Sequence, residues 1–192
     1  ACDNKEDKLI KKQIKKIDNI VEQMLFYARS DSVEKDYFVK KVLLEDIVHT
    51  AIMNYMDSLI QKKISLDVYN LENYVYIDEK WITFIICQVL QNSIKYLNKP
   101  EKVIKIHSEN NKNNVVLVIE DNGEGILDHD LPRVFEYGFT GTDRQKQYST
   151  GIGLYLCKKL CNKMNLDIKI ESQYKKFTKV KIIFPKTNLY RQ

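Results

Sequence analysis

Three short stretches of this chain put chemistry-capable residues where a plain core or surface does not call for them. The first is Gln91-Asn92-Ser93-Ile94-Lys95-Tyr96, which sets an asparagine after the apolar helical run Ile85, Ile86, Val89 and Leu90. Asparagine is a poor mid-helix residue because its amide competes for backbone hydrogen bonds. Its carbonyl oxygen suits a hard cation such as Mg²⁺, while a cap or a surface amide would account for it without a ligand. The second is Glu120-Asp121-Asn122-Gly123-Glu124-Gly125-Ile126, directly after the apolar strand Val115 to Ile119. Asn-Gly is a strong hairpin signal, yet Gly125-Ile126-Leu127-Asp128 does not alternate as a return strand. Two glycines two apart suit a loop whose backbone lies against a ligand. A carboxylate at the strand end can accept a hydrogen bond from an exocyclic amine. The third, Ser149-Thr150-Gly151-Ile152-Gly153-Leu154, opens a helix. Unpaired N–H groups and the positive dipole end make such a terminus a phosphate site. Neither the third glycine of a dinucleotide fingerprint nor the Gly-Lys-Ser/Thr ending of a P-loop is present, and tight helix packing accounts for a lone Gly-x-Gly equally well.

The elements that must position these stretches can be read from periodicity. Residues 5–30 form one helix whose Ile10, Ile14, Ile17, Val21, Met24 and Ala28 make a heptad seam, with Lys11, Lys12, Lys15, Lys16, Asp18 and Glu22 largely off it. Such a helix needs another along that stripe. The polar break Ser30 to Asp36 suggests that it projects from the main body and docks on a partner chain. A second amphipathic helix spans 43–61. Strands follow at 64–69 and 74–77, then a helix from Glu79 to Leu97 with Asp78 as N-cap and Pro100 beyond its end. Strands at 103–108 and 114–120, an irregular stretch at 121–150, a helix from near Gly151 to Met164 and strands at 166–172 and 178–184 complete the chain. Adjoining strand pairs exclude a purely parallel doubly wound sheet. They predict an α+β two-layer sandwich, a mixed sheet covered on one face by three helices, with residues 1–38 as a helical appendage and 39–192 as the domain.

Composition narrows the function. At 192 residues, 44% hydrophobic and with only 6 Gly and 3 Pro, the chain can bury a core and is neither disordered nor repetitive. The net charge of +5 is the small difference between 31 basic and 26 acidic residues, spread along the chain with no binding motif, which argues against nucleic acid as a partner. No apolar run spans a membrane and no signal peptide opens the chain, so as given it is expected to be soluble and cytoplasmic. Cys157 and Cys161 stand one helical turn apart without a second ligand pair, so they read as ordinary helix cysteines rather than a metal site. His49, His107 and His129 lie apart with no ligand spacing.

The ordered set is more specific than its parts. Asn92, then Asp121-x-Gly123-x-Gly125, then Val134-Phe135-Glu136-Tyr137-Gly138-Phe139-Thr140-Gly141, then Gly151-x-Gly153 resembles the catalytic, ATP-binding domain of bacterial sensor histidine kinases. Their superfamily includes Hsp90, DNA gyrase B and MutL. The likeness covers about residues 40–187. MLFYARSDSVEKDY, LPRVFEYGFTG and STGIGLYLCKKLC are similar to the intramembrane-sensing kinases of Gram-positive bacteria, which work beside transporters in antimicrobial-peptide resistance.

The resemblance implies a Bergerat-type ATP-binding fold and a cofactor pair of ATP and Mg²⁺. It implies Asp121 as acceptor for the adenine amine, Asn92 as Mg²⁺ ligand, Lys95 near the phosphates and Tyr96 on the adenine face. Gly123, Gly125, Ile126, Phe135, Phe139 and Thr140 would line the site, and Gly151, Gly153 and Leu154 would offer N–H groups to the phosphate tail. Residues 136–150 would be a mobile lid, with Arg144 and Lys146 within reach of phosphates. The implied activity is donation of the ATP γ-phosphoryl group to a histidine that then phosphorylates a response regulator. No H-box motif surrounds His49, His107 or His129, so the chain reads as a fragment without its phosphoacceptor and with no catalytic residue of its own. The implied partners are the response regulator, the protein's own phosphoacceptor helix, a second copy in the full-length dimer and an ABC transporter. The full-length protein would sit at the cytoplasmic face of the membrane, and the fragment would self-associate weakly. Two departures stand out. Gln88 occupies the turn before Asn92, where ATP-hydrolysing relatives carry a Glu base. Lys176-Phe177-Thr178 lacks the Gly that many members place before the Thr. The competing reading is a pseudokinase, a dimerisation or partner-binding module without phosphotransfer.

Overall fold

The computed structural model describes residues 5–29, 37–142 and 150–186. The chain divides into two compact units, residues 1–36 and 37–192; the polar break at 30–36 lies outside the described residues. The first unit is the helix α1, Lys5–Arg29. Its seam residues Ile10, Ile14, Ile17, Val21 and Met24 are exposed, and Ile20 and Leu25 widen the apolar face beyond the heptad stripe.

The second unit begins with a four-residue strand that periodicity did not reveal: β1, Lys40–Leu43. It is too short, and too little buried, to show alternation. The amphipathic stretch at 43–61 is two helices rather than one, α2 (Leu44–Met53) and α3 (Met56–Lys62). The chain turns at Asn54 and Tyr55, where Tyr55 N donates to Ile52 O at 2.9 Å instead of continuing the i−4 ladder. The turn redirects the axis so that Leu59 is buried like Ile47, Val48 and Ala51 before it. The described part of the domain therefore holds four α-helices, two of them from this one amphipathic stretch. Next come β2 (Ile64–Tyr69), β3 (Tyr74–Ile77), α4 (Glu79–Tyr96), β4 (Lys102–Asn110) and β5 (Asn114–Asp121). A 3₁₀ turn at Leu131–Arg133 precedes α5 (Gly153–Lys163), β6 (Asp167–Gln173) and β7 (Phe177–Pro185).

Five strands form a mixed sheet in the order β2-β4-β5-β7-β6, parallel only between β2 and β4. The neighbours β2 and β3 do not pair with each other; β3 pairs antiparallel with β1 in a separate two-stranded sheet. Alternation settles the faces. Ile104 and Ile106, Val115, Leu117 and Ile119, and Val180, Ile182 and Phe184 are buried and in register across β4, β5 and β7. The α4 helix packs against β5, α2 and α5, and it buries Trp81, Ile82, Phe84, Ile85, Ile86, Val89 and Leu90. The opposite face carries Asp67, Lys105, Glu120, Lys179 and Glu171 side by side across all five strands. Charge alternates along this row, and Lys179 Nζ lies 2.9 Å from Glu120 Oε2.

Asp78 joins the start of the domain to α4. Its Oδ1 accepts from Lys80 N at 2.9 Å, the expected N-cap, and its Oδ2 accepts from Phe38 N at 2.8 Å. At the other end of α4, Lys62 Nζ donates to Ile94 O, one of the carbonyls a helix end leaves without an internal partner.

Candidate functional site

The period-2 register of β5 puts Asp121 on the buried face, in line with Val115, Leu117 and Ile119 and opposite Ile104 on β4. An aliphatic side chain would be expected there, yet a carboxylate with 4% exposure occupies the position. Ser93 Oγ donates to its Oδ2 at 2.8 Å and Gly123 N to its Oδ1 at 3.0 Å. Burial pushes its pKa from 3.8 up to about 6, against these two hydrogen bonds, which lower it. Each carboxylate oxygen thus has one internal donor and keeps capacity to accept from an outside amine.

Asn92 and Tyr96 lie one turn apart on the last part of α4, both half-buried. No hydrogen bond with another described residue engages the Asn92 side chain. Lys95 Nζ stands 5.0 Å above the Tyr96 ring. Gln88, one turn earlier, is buried. The Tyr96 carbonyl, left open by the helix end, accepts from Glu124 N at 3.1 Å, which ties the loop after β5 to α4.

The two glycines of that loop are explained by contacts within the protein. A Cβ on Gly123 would stand 2.6 Å from Asp121 Oδ1 and 2.7 Å from Tyr96 O. Gly125 has φ +66°, and a Cβ there would fall 2.1 Å from the Gln173 carbonyl in the β6–β7 turn. Next to it, Ile126 N donates to Ser172 Oγ at 2.8 Å. At both positions the protein itself leaves no room for a side chain, because the backbone lies against backbone or against Asp121. The missing Gly in Lys176-Phe177-Thr178 is accommodated by Lys175, which takes φ +61° in that turn.

Beyond the 3₁₀ turn, Phe135 and Phe139 are half-buried. The Arg133 guanidinium lies 4.4 Å from the Phe139 ring and Lys158 Nζ 5.8 Å from that of Phe135. Thr140 is half-buried. Gly138 N donates to Gly151 O at 3.1 Å, so the aromatic stretch and the second glycine pair are tied together. Gly151 has φ +67°, and a Cβ there would meet the Gly138 carbonyl carbon at 2.3 Å. Gly153 and Leu154 form the first turn of α5, where no side chain caps the N-terminus. Buried Asp130 pins Thr142 through its N (3.1 Å) and Oγ1 (3.0 Å). Arg144, Lys146 and the rest of residues 143–149 lie outside the described residues.

Sequence reasoning passed over Ser93, Ser172 and Asp130. For Ser93 a signal existed: it continues the inward stripe Ile82, Ile86, Val89, where a hydroxyl needs a partner. For Ser172 a signal existed as well, since it follows Ile168 and Ile170 on one face of β6, whereas Asp130 sits in an irregular stretch with no period to violate. Elsewhere the three histidines stay apart, with His49 and His129 exposed and His107 stacked on Tyr69 at 4.8 Å. Cys157 and Cys161 face the core, and burial raises both thiols, Cys161 to about 12. Among the described residues, no three His, Cys, Asp or Glu side chains cluster as metal ligands.

Among the described residues the arrangement has a buried carboxylate acceptor, an amide side chain without a hydrogen-bond partner and a helix N-terminus that no side chain caps. The chain is similar to the sensor protein BceS of Halalkalibacterium halodurans, 36% identical over 191 residues, which are 97% of this chain and 57% of that protein. It is also similar to the sensor protein kinase GraS of Staphylococcus aureus, 35% identical over 175 residues, 90% of this chain and 50% of that one. The chain thus spans about half the length of these curated relatives. The fold matches that of the histidine kinase ThkA in its complex with the response regulator protein TrrA, with a TM-score of 0.72 at 19% identity, covering 95% of this chain and 51% of that one. The family described as histidine kinase-, DNA gyrase B- and HSP90-like ATPase matches residues 77–188, from the last residue of β3 through β7. The match covers more than half of the chain and every described residue of the site, and the chain belongs to that ATPase family.

Proposed function

We propose that residues 39–192 are the ATP-binding catalytic domain of a sensor histidine kinase, which donates the γ-phosphoryl group of ATP to a histidine outside this sequence. The observation that carries the reading is Asp121, a carboxylate held by two donors on an otherwise apolar face. Asp121 would accept from adenine N6 and Tyr96 would stack on the base. Ile126, Phe135, Phe139 and Thr140 would wall the pocket. Gly151, Gly153 and Leu154 would present N–H groups to the phosphates at the positive end of α5, with Lys95 nearby. The oxygen of the Asn92 amide, which makes no hydrogen bond with another described residue, fits a Mg²⁺ ligand; when bound, that ion would neutralise phosphate charge. Gln88 has an amide where hydrolysing relatives place a base, so the site would hold ATP rather than pass its phosphoryl group to water.

The same reading makes α1 a remnant of the dimerisation region, with residues 1–38 as that remnant and its linker. It places the full-length protein at the cytoplasmic face of the membrane in a homodimer, with a response regulator and an ABC transporter as partners and no role for nucleic acid. Similarity to sensor kinases over 97% of the chain supports this. Calorimetric titration with ATP, with and without Mg²⁺, tests it. The wild-type chain should bind, more tightly with Mg²⁺. Asp121→Ala should lose at least tenfold, about the worth of one charge-assisted hydrogen bond. Radiolabelled ATP should leave the chain unlabelled until the phosphoacceptor helices are added in trans. Unchanged affinity in Asp121→Ala would refute the adenine assignment, and label on His49, His107 or His129 would refute an external acceptor.

A further inference from the structure

Asp121 needs more than position: to accept from an amine it must stay ionised in a place that disfavours charge. Its environment supplies little help. Glu120 on its own strand points to the opposite face and pairs with Lys179 at 2.9 Å. Lys99, beyond α4, has its Nζ on the Lys176 carbonyl at 2.9 Å. The β4 strand faces Asp121 with Ile104. The α4 helix faces it with Ser93, itself 4% exposed and 2.8 Å from Oδ2. Gly123 N holds the other oxygen. Of the two direct donors only Ser93 is a side chain, and it comes from a different element.

Resting on the adenine-nucleotide reading, we propose that Ser93 is a positioning residue that keeps Asp121 in its acceptor form and so sets the acid limit of nucleotide binding. A hydroxyl donating to a carboxylate makes a charge-assisted bond about twice as strong as one to the neutral acid. Ser93 therefore favours the ionised state, and it also fixes the carboxylate plane by holding the oxygen that Gly123 does not reach. Without the hydroxyl, Oδ2 faces apolar surroundings and protonation relieves it.

The test uses the whole chain and two readouts. The first is the Asp121 carboxyl ¹³C shift titrated from pH 4 to 9 with no nucleotide. The second is ADP affinity over the same range. Ser93→Ala should raise the carboxyl midpoint by roughly one pH unit and carry the acid limb of ADP binding up with it. The added loss should be roughly fivefold at pH 6 and small at pH 8.5. Ser93→Thr, which keeps the hydroxyl, should restore the wild-type midpoint. A carboxyl midpoint unmoved in Ser93→Ala overturns the proposal, as does a uniform affinity loss at every pH. If the wild-type chain binds no ADP at any pH, the adenine reading falls, while the carboxyl titration still decides the role of Ser93.

Discussion

At the scale of single residues, Asp121 shows a cost that the fold carries for its site. A carboxyl whose folded-state pKa lies above its unfolded value binds more protons in the folded protein between pH 3.8 and about 6. Its contribution to stability is therefore fully present at low pH and is lost as pH rises through that window. The shift of about two units corresponds to roughly 3 kcal/mol at neutral pH. Asp121→Asn keeps the shape and can still accept from Gly123 N, but it carries no charge to desolvate. It should be more stable than wild type by about 2–3 kcal/mol at pH 7.5 and by almost nothing at pH 4, as measured by urea unfolding at both values. On the proposed function the same variant should lose nucleotide, because the residue that weakens the fold is the one proposed to read the base. Asn92 stood out in the sequence because it breaks the rule of the helix that carries it, and Asp121 as a carboxylate at the end of an apolar strand. That Asp121 continues the buried face came only with the register of β5.

At the scale of elements, legibility followed regularity. The helix α4 and the strand β3 agree with periodicity because each keeps one face buried along its length, and the ends of β2 agree although it is only half-buried at Ile64 and Leu66. The β1 strand and the break between α2 and α3 were illegible for opposite reasons. β1 is short and half-exposed, and the break interrupts an apolar stripe that runs on unchanged through Tyr55, Met56 and Leu59. The two glycine loops were legible as special backbone, but not in what they approach, since only the fold brings the β6–β7 turn against Gly125. That contact predicts a contrast. Gly125→Ala forces a Cβ onto the Gln173 carbonyl at positive φ and should cost about 2–3 kcal/mol, with loss of nucleotide binding. Lys175→Gly, at φ +61° in the same turn, removes the steric cost of a side chain there and should stabilise by about 1 kcal/mol with binding intact. Thermal melts of both variants, each with an ADP titration, check the pair.

At the scale of the whole molecule, the two units make different demands. The domain buries an apolar core and exposes apolar residues such as Phe38, Met53 and Ile60 one by one, whereas α1 exposes Ile10, Ile14, Ile17, Ile20, Val21, Met24 and Leu25 along one helix. A face of that kind associates. A single 25-residue helix buries limited area against the several kcal/mol that association costs in lost rigid-body freedom. Weak self-association is expected, and sedimentation equilibrium should show it concentration-dependent in wild type and absent from the double variant Ile14→Glu and Val21→Glu, with ADP affinity unaltered. A dimer surviving both substitutions would place the interface elsewhere.

The bond from Phe38 to Asp78 has a mechanical corollary. Because β1 runs antiparallel to β3 from the pair Lys40 and Ile77, tension on the chain entering at Tyr37 loads the Phe38–Asp78 bond before it can peel the strand pair. The recipient of that load is the N-cap of α4, whose far end carries Asn92, Ser93 and Tyr96. A stiff rod of 18 residues separates the two, about 27 Å at the usual rise per residue. A tug on the entering chain thus bears directly on the rod that carries Asn92, Ser93 and Tyr96, without passing through the five-stranded sheet.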